Sequence, residues 1–255
     1  LGDVYKRQNM NFSANWRSIF SEKLTANFSF GYDHYDYRND ESVEEAAAAR
    51  LSFAINQWFG KVDFSYKLDN NHTLNFGLMS QFYNINSGTY EPLHESSLVK
   101  WDQLQKDKAL ESAIYIGDQW EVTPKLSVNA GIRYSMFNLL GPRTYYTYQD
   151  GMLPSSTTVV DSVSVGGGKV VKTYQGPEFR LSARYAFNDD FSVKAGFNTM
   201  RQYIHKVSNT TIMSPTDTWK LSDTNIKPQN GWQLAAGAYY NTCLLYTSPS
   251  PRDRG

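Results

Sequence analysis

The feature that most constrains this chain is a strict two-residue alternation of apolar and polar side chains, repeated along its length. Leu24–Asp33 reads LTANFSFGYD: Leu24, Ala26, Phe28, Phe30 and Tyr32 alternate with Thr25, Asn27, Ser29, Gly31 and Asp33. A period of two sends one set to each face of a strand. The same pattern recurs at Leu74–Leu78, Leu126–Tyr134, Phe179–Tyr185, Phe191–Asn198 and Trp232–Tyr240. About nine strands follow, at roughly 9–20, 24–37, 58–68, 73–86, 109–122, 126–139, 175–187, 191–203 and 229–241. The composition agrees: 18 Tyr, 14 Phe and 6 Trp suit pleated surfaces with one greasy face better than a helical core.

The connections alternate in length. Short ones fall at Ser21–Lys23, Asp69–His72, Thr123–Lys125 and Asn188–Asp190, and long ones at about 38–57, 87–108, 140–174 and 204–228. Short turns at one end and long loops at the other are the layout of an antiparallel transmembrane β-barrel. The strands also have the 9–11 residues that a tilted span requires. A soluble sandwich would show shorter strands without this asymmetry. The wet face carries Lys61, Asp63, Lys67, Arg133, Arg180, Arg184 and Lys194, which would line a lumen. Asp118 shares the parity of Ile114, Ile116 and Trp120, which places that strand near a membrane interface. No run approaches the ~20 apolar residues of a membrane helix. Equal numbers of basic and acidic residues, 25 of each, argue against nucleic-acid binding.

Both termini read as translated adapter DNA. The codons CTC GGA GAT GTG TAT AAG AGA CAG give LGDVYKRQ. The reverse complement contains TGT CTC TTA TAC ACA TCT CCG, which gives the CLLYTSP that opens the C-terminal tail. Residues 1–8 and 243–255 are therefore set aside as artefact, and residues 9–242 are read as a partial barrel. Cys243, the single cysteine, leaves with the tail, so no disulfide, thiolate metal site or cysteine nucleophile is expected. The remaining 21 basic and 23 acidic residues carry a charge of about −2. Nine strands are an odd number, whereas bacterial single-chain barrels have an even one. The segment is thus expected to be an open piece of a larger barrel, unable to fold stably in a membrane alone, because an open edge in lipid leaves backbone groups unpaired.

Ile114–Tyr134, IYIGDQWEVTPKLSVNAGIRY, resembles the barrel of TonB-dependent outer-membrane receptors at Tyr115, Asp118, Trp120, Thr123, Lys125, Leu126, Gly131, Arg133 and Tyr134. Pro215, Asp217, Trp219 and Ile226–Gln229 are similar to a loop of such receptors from Bacteroidota-type bacteria. The resemblance implies a 22-stranded barrel in the outer membrane, surrounded by its lipids and filled by an N-terminal plug. It also implies TonB-energised import of a scarce iron chelate, cobalamin or glycan. TonB would act through a plug that lies outside this chain.

Candidate ligand contacts are Asp33, His34, Tyr35 and Asp36, at the loop end of a strand, and Tyr145, Tyr146 and Tyr148 in the longest loop. Carboxylate, imidazole and phenol suit an iron chelate, and tyrosine rings stack on sugars or chelates. A solvated loop mouth and a self-packed loop are the commoner uses of the same residues. Tyr32, Tyr35 and Tyr37 at one end, with Phe20 and Trp120 at the other, are read as aromatic girdles. Gly166–Gly168 beside Lys169 fails the phosphate-loop spacing and reads as the tip of a hairpin. Glu44–Arg50, EEAAAAR, reads as a short helical piece or a lead into the next strand, and Asn209-Thr210-Thr211 as an incidental sequon. No catalytic motif is present, and no cofactor, metal site or enzyme activity is expected. Two rival functions remain: a passive porin or channel, and a barrel that anchors an enzyme or adhesin.

Overall fold

A computed structural model describes residues 4–42, 44–153, 155–207 and 218–241. Pro215, Asp217, the Asn209 sequon and Cys243 lie outside the described residues. The strands are β1 (Val4–Ile19), β2 (Leu24–Glu41), β3 (Ala49–Lys67), β4 (His72–Pro92), β5 (Asp102–Gln103), β6 (Asp107–Thr123), β7 (Leu126–Leu140), β8 (Arg143–Tyr148), β9 (Val159–Val165), β10 (Val170–Ala186), β11 (Phe191–Gln202), β12 (Ile204–Val207), β13 (Thr218–Leu221) and β14 (Gln229–Tyr240). The main sheet runs β1-β2-β3-β4-β6-β7-β10-β11-β14, with β5 appended to β4. These nine strands are the nine expected, each antiparallel to its neighbour. Outside the sheet, β8 pairs with β9 and β12 with β13. Among the described residues no helix is long and apolar enough to cross a membrane, which says nothing of strands.

The short turns share one device. The side-chain oxygens of Ser21, Asp69, Thr123 and Asn188 each accept hydrogen bonds from the backbone N–H groups two and three residues on, at 2.7–3.3 Å. Such residues nucleate tight turns by mimicking a backbone acceptor. The two N–H donors also hold the Asp69 carboxyl below the ordinary aspartate range.

Register separates the faces cleanly. Trp16, Phe28, Val62, Leu78, Ile114 and Tyr134 form one continuous cross-strand row, and Phe64, Phe76, Ile116, Ile132 and Phe179 form the next but one. Leu78, Ile114 and Leu181 remain 55%, 61% and 52% exposed. Burying one such side chain is worth about 1.5–3 kcal/mol. Leaving a dozen half-exposed in water would forfeit on the order of 10 kcal/mol, as much as a whole domain's stability. The face therefore needs hydrocarbon. From Trp58 to Tyr66 the apolar band on β3 rises roughly 19–22 Å at the usual strand rise and tilt, close to the height of a barrel's lipid band. Phe30 is 49% exposed, and Phe28, Leu126 and Phe191 are half-buried, so no closed sandwich core gathers them.

Three expectations change. Strands β2, β3, β4, β6 and β10 extend further at the long-loop end than the alternation suggested, so β3 begins at Ala49 and β4 ends at Pro92. Asp33–Asp36 consequently lie within β2 rather than at its mouth. The girdle is reassigned by parity. Tyr32 faces outward against Trp58, with ring centroids 4.2 Å apart. Tyr35 and Tyr37 face the other way, and Tyr37 is buried against Phe53 at 4.9 Å. Phe20 and Trp120 are exposed at the short-turn end, as a girdle requires. Gly166–Gly168 lie at the base of the β8–β9 hairpin, not its tip. Gly168 has φ +73° and donates from its N–H to the Gly141 carbonyl at 3.1 Å. Of the EEAAAAR segment, Glu45–Ala47 forms one 3-10 turn, and Ala49 already belongs to β3. Asp118 does face outward at the short-turn end. His72 Nδ1 meets its carboxylate at 2.7 Å, and Trp120 stacks on that histidine at 5.3 Å.

Candidate functional site

The large buried strand side chains Tyr37, Phe53, Tyr83, Ile85, Phe137 and Leu139 all lie on the inner face, toward the long-loop end. There the β12–β13 hairpin folds back over the wall. Tyr203 stacks on Phe137 at 4.8 Å and 7°, and its hydroxyl shares a 2.8 Å hydrogen bond with Ser135. Leu221 completes the apolar contact. His205 Nε2 lies 2.8 Å from Ser222 Oγ, both buried, and burial holds this imidazole below the ordinary histidine value. This buried serine–histidine contact reads as structural.

Beside the hairpin sits a buried ionic node. The Arg143 guanidinium bridges Asp107 and Asp223, the latter at 2.8 Å. The two carboxylates are 1% and 2% exposed. Lys220 approaches Asp223 at 3.4 Å, and the Leu221 N–H donates to Asp107 at 3.3 Å. Asp223 also accepts from the N–H groups of Asn225 and Ile226, at 2.8 Å each. Buried charges persist when paired and hydrogen-bonded in this way.

This node floors a cavity of about 370 Å³ among the 93–106 loop, the β8–β9 hairpin and the segment before β14. Its walls include Tyr145, Tyr146 and Tyr148, with Leu104, Gln105, Thr144, Thr224 and Asn225. Among the described residues none of these three tyrosine rings stacks on another ring. The loop therefore holds itself by other means, including Thr144 N–H to Gln105 at 3.0 Å and Thr144 to Ser164 at 2.9 Å. Three phenols around a paired charge node can stack on a planar ring and bond its hydroxyls.

The other candidates do not join them. Alternation sends Asp33 and Tyr35 to the inner face and His34 and Asp36 to the outer. Asp33 accepts from Asn11. His34 contacts Asn56 at 2.8 Å and Asp36 at 3.2 Å. Further along the same outer face, Asp40 accepts a bidentate contact from Arg50 at 2.6 and 2.9 Å. Among the described residues no three His, Cys, Asp or Glu side chains converge as a metal site. Arg143, Asp107, Asp223 and Lys220 carried no sequence signal, being isolated charges in loops and strand ends. The tyrosines at 145, 146 and 148 are the local clue to this cavity.

Lower on the inner wall, Arg133 lies between Glu111 at 3.2 Å and Glu178 at 3.7 Å, and Tyr83 donates to Glu111 at 3.0 Å. Lys61 pairs with Asp63 at 2.9 Å, and Tyr115 donates to the same carboxylate. The lumen wall is thus a connected polar network, as the wet parity required.

The family model described as "TonB dependent receptor-like, beta-barrel" matches residues 2–247. No curated protein sequence matches. Among solved structures, the copper transporter OprC superposes with a TM-score of 0.62 at 12% identity, covering 94% of this chain and 37% of that one. The ferric-catecholate import receptor Fiu from E. coli K12, in its closed form, gives a TM-score of 0.56 at 12% identity, covering 94% and 39%. The siderophore receptor PiuA from Acinetobacter baumannii gives 0.56 at 11% identity, covering 94% and 38%. The chain therefore spans less than half the length of these structures, and identities this low speak for the fold alone.

Proposed function

The chain belongs to the family of TonB-dependent receptor β-barrels, and we propose that residues 9–242 are the partial barrel of an outer-membrane importer. Residues 1–8 and 243–255 are adapter-derived in this proposal. The receptor captures a scarce nutrient of the iron-chelate, cobalamin or glycan class at its long-loop end. TonB energises passage along the polar inner wall by acting on a plug. The observation that carries the reading is the division of one antiparallel sheet into a lipid-ready face and a hydrogen-bonded polar wall, with a tyrosine-lined cavity at its long-loop end. Copper and ferric-catecholate transport by the structural neighbours supports an importer of this kind.

Tyr145, Tyr146 and Tyr148 are the proposed cargo contacts. Asp33 and Tyr35 follow on the inner face, while His34 and Asp36 face outward and serve at most an approach from the rim. The Trp219 and Ile226–Gln229 motif supports a Bacteroidota-type source. No enzymatic step is proposed.

The test begins with the uncut gene from the same DNA. The full-length receptor should restore uptake of its nutrient to a receptor-deficient host, and deleting TonB should abolish it. Uptake that persists without TonB would make the protein a passive channel.

A further inference from the structure

The cavity of about 370 Å³ at the long-loop end has two properties that together select a ligand chemistry. The first is charge balance. Its cations are Arg143 and Lys220, and both already face carboxylates: Arg143 meets Asp107 and Asp223, and Lys220 meets Asp223 at 3.4 Å. Two cations against two anions leave no net charge. A catecholate or citrate chelate of ferric iron is an anion, and its recognition calls for uncompensated positive charge. Seated here, it would meet Asp223 as well as Lys220. The second property is the surface that remains. Tyr146 and Tyr148 share one face of β8, with Tyr146 43% exposed. Residues two apart on a strand stand about 6.5–7 Å from each other. Among the described residues the hydroxyls of Tyr145, Tyr146, Tyr148 and Thr224 and the side-chain amide of Asn225 make no hydrogen bond. Gln105 uses only its side-chain carbonyl, toward the Thr144 N–H. Aromatic faces pack on the C–H faces of sugar rings, and amides and hydroxyls match the mixed donors and acceptors of sugar hydroxyls. Two rings at this spacing offer a platform to two successive units of a sugar chain.

We propose that this cavity binds a neutral oligosaccharide, with successive sugar rings on Tyr146 and Tyr148 and their hydroxyls on Gln105, Thr224 and Asn225. This rests on the receptor reading above and narrows its cargo to the glycan class. Arg143 and its two aspartates hold the floor of the cavity in place and leave it without net charge.

The test is equilibrium binding to the full-length receptor. The probes are an array of neutral α- and β-linked oligosaccharides of glucose, galactose, mannose and xylose, set against ferric citrate, a ferric tris-catecholate, a neutral ferric trihydroxamate and cyanocobalamin. The expected result is saturable binding of an oligosaccharide, with an affinity that changes less than about twofold as NaCl rises from ~0.05 to ~0.5 M, since salt screens only charge. Tyr146→Ala/Tyr148→Ala should lower that affinity roughly tenfold or more, the equivalent of two aromatic contacts. Tyr146→Phe/Tyr148→Phe keeps both rings and the packing of the hairpin, so it should lose clearly less. Binding of a chelate or of cyanocobalamin in place of every oligosaccharide would overturn the proposal, as would binding of no oligosaccharide at all. So would an affinity that falls steeply with salt, or an alanine pair that binds like wild type. Sugar uptake that persists without TonB would instead overturn the receptor reading and leave the sugar site standing.

Discussion

The Tyr115 hydroxyl donates to the Asp63 carboxylate across an intervening strand, and Gly77 is the residue that lets it pass. Asp63, Gly77 and Tyr115 are direct partners in one cross-strand row on β3, β4 and β6. A Cβ on Gly77 would clash with the Val62 carbonyl and stand 2.5 Å from the phenol oxygen. A large side chain laid over a strand glycine also covers the backbone that the glycine exposes.

Gly77→Ala should therefore destabilise the intact receptor by about 1–3 kcal/mol, the usual range for overpacking. Tyr115→Phe, which removes one hydrogen bond but keeps the ring over Gly77, should cost less, about 1 kcal/mol. Urea unfolding in lipid vesicles reads both. Equal stability of Gly77→Ala and wild type would show that the ring has room to move aside.

Arg143→Ala should leave Asp107 and Asp223 buried without their common partner. Removing one member of such a set costs about 3–5 kcal/mol. The loss should fall on the docking of β12–β13 rather than on the lipid-facing strands. Hydrogen exchange would then show faster exchange at Leu221–Asp223 with the rest of the sheet unchanged. Protection that survives the substitution would mean that the Tyr203–Phe137 stack alone holds the hairpin.

His205 sets an acid limit on the same docking. Its folded-state value is depressed because burial disfavours the imidazolium, with nearby Asp223 opposing. The unfolded or undocked histidine binds a proton more readily, so its contribution is fully present above the ordinary histidine value of ~6.5 and declines as pH falls below it. Hairpin protection should weaken as pH falls below about 6.5, and His205→Gln should flatten that dependence. A pH profile unchanged by His205→Gln would assign the effect elsewhere.

Tyr146→Ala and Tyr148→Ala should each weaken cargo binding by roughly 2- to 10-fold, the equivalent of one aromatic stacking contact. Tyr32→Ala should not, because that ring lies on the outer face against Trp58. Equilibrium binding of the transported nutrient to full-length receptor decides this. Equal losses at Tyr32 and Tyr146 would point to general destabilisation instead of contact.

Much of this architecture is local information. Period-two alternation assigns each residue to a face within a few positions, and Ser21, Asp69, Thr123 and Asn188 mark the short turns by their own side-chain chemistry. Nine strands, their order and the lipid and lumen faces were therefore legible. Parity also held the right answer for Tyr35 and Tyr37, but pooling them with Tyr32 by composition hid it. The upper strand extensions were not legible, because there the inner face turns apolar at Phe53, Tyr83, Ile85, Phe137 and Leu139, and the alternation that marks a span dissolves.

The sequence by itself determined which side chains meet lipid and which meet the lumen, since backbone geometry alternates them whatever the rest of the chain does. Only the tertiary structure decided what caps the inner wall. Arg143 finds Asp107 and Asp223 from 36 and 80 residues away, and Tyr203 finds Ser135 from 68. Those contacts exist because the curved sheet brings distant strand ends and loops onto one surface, and no spacing within a single strand encodes that.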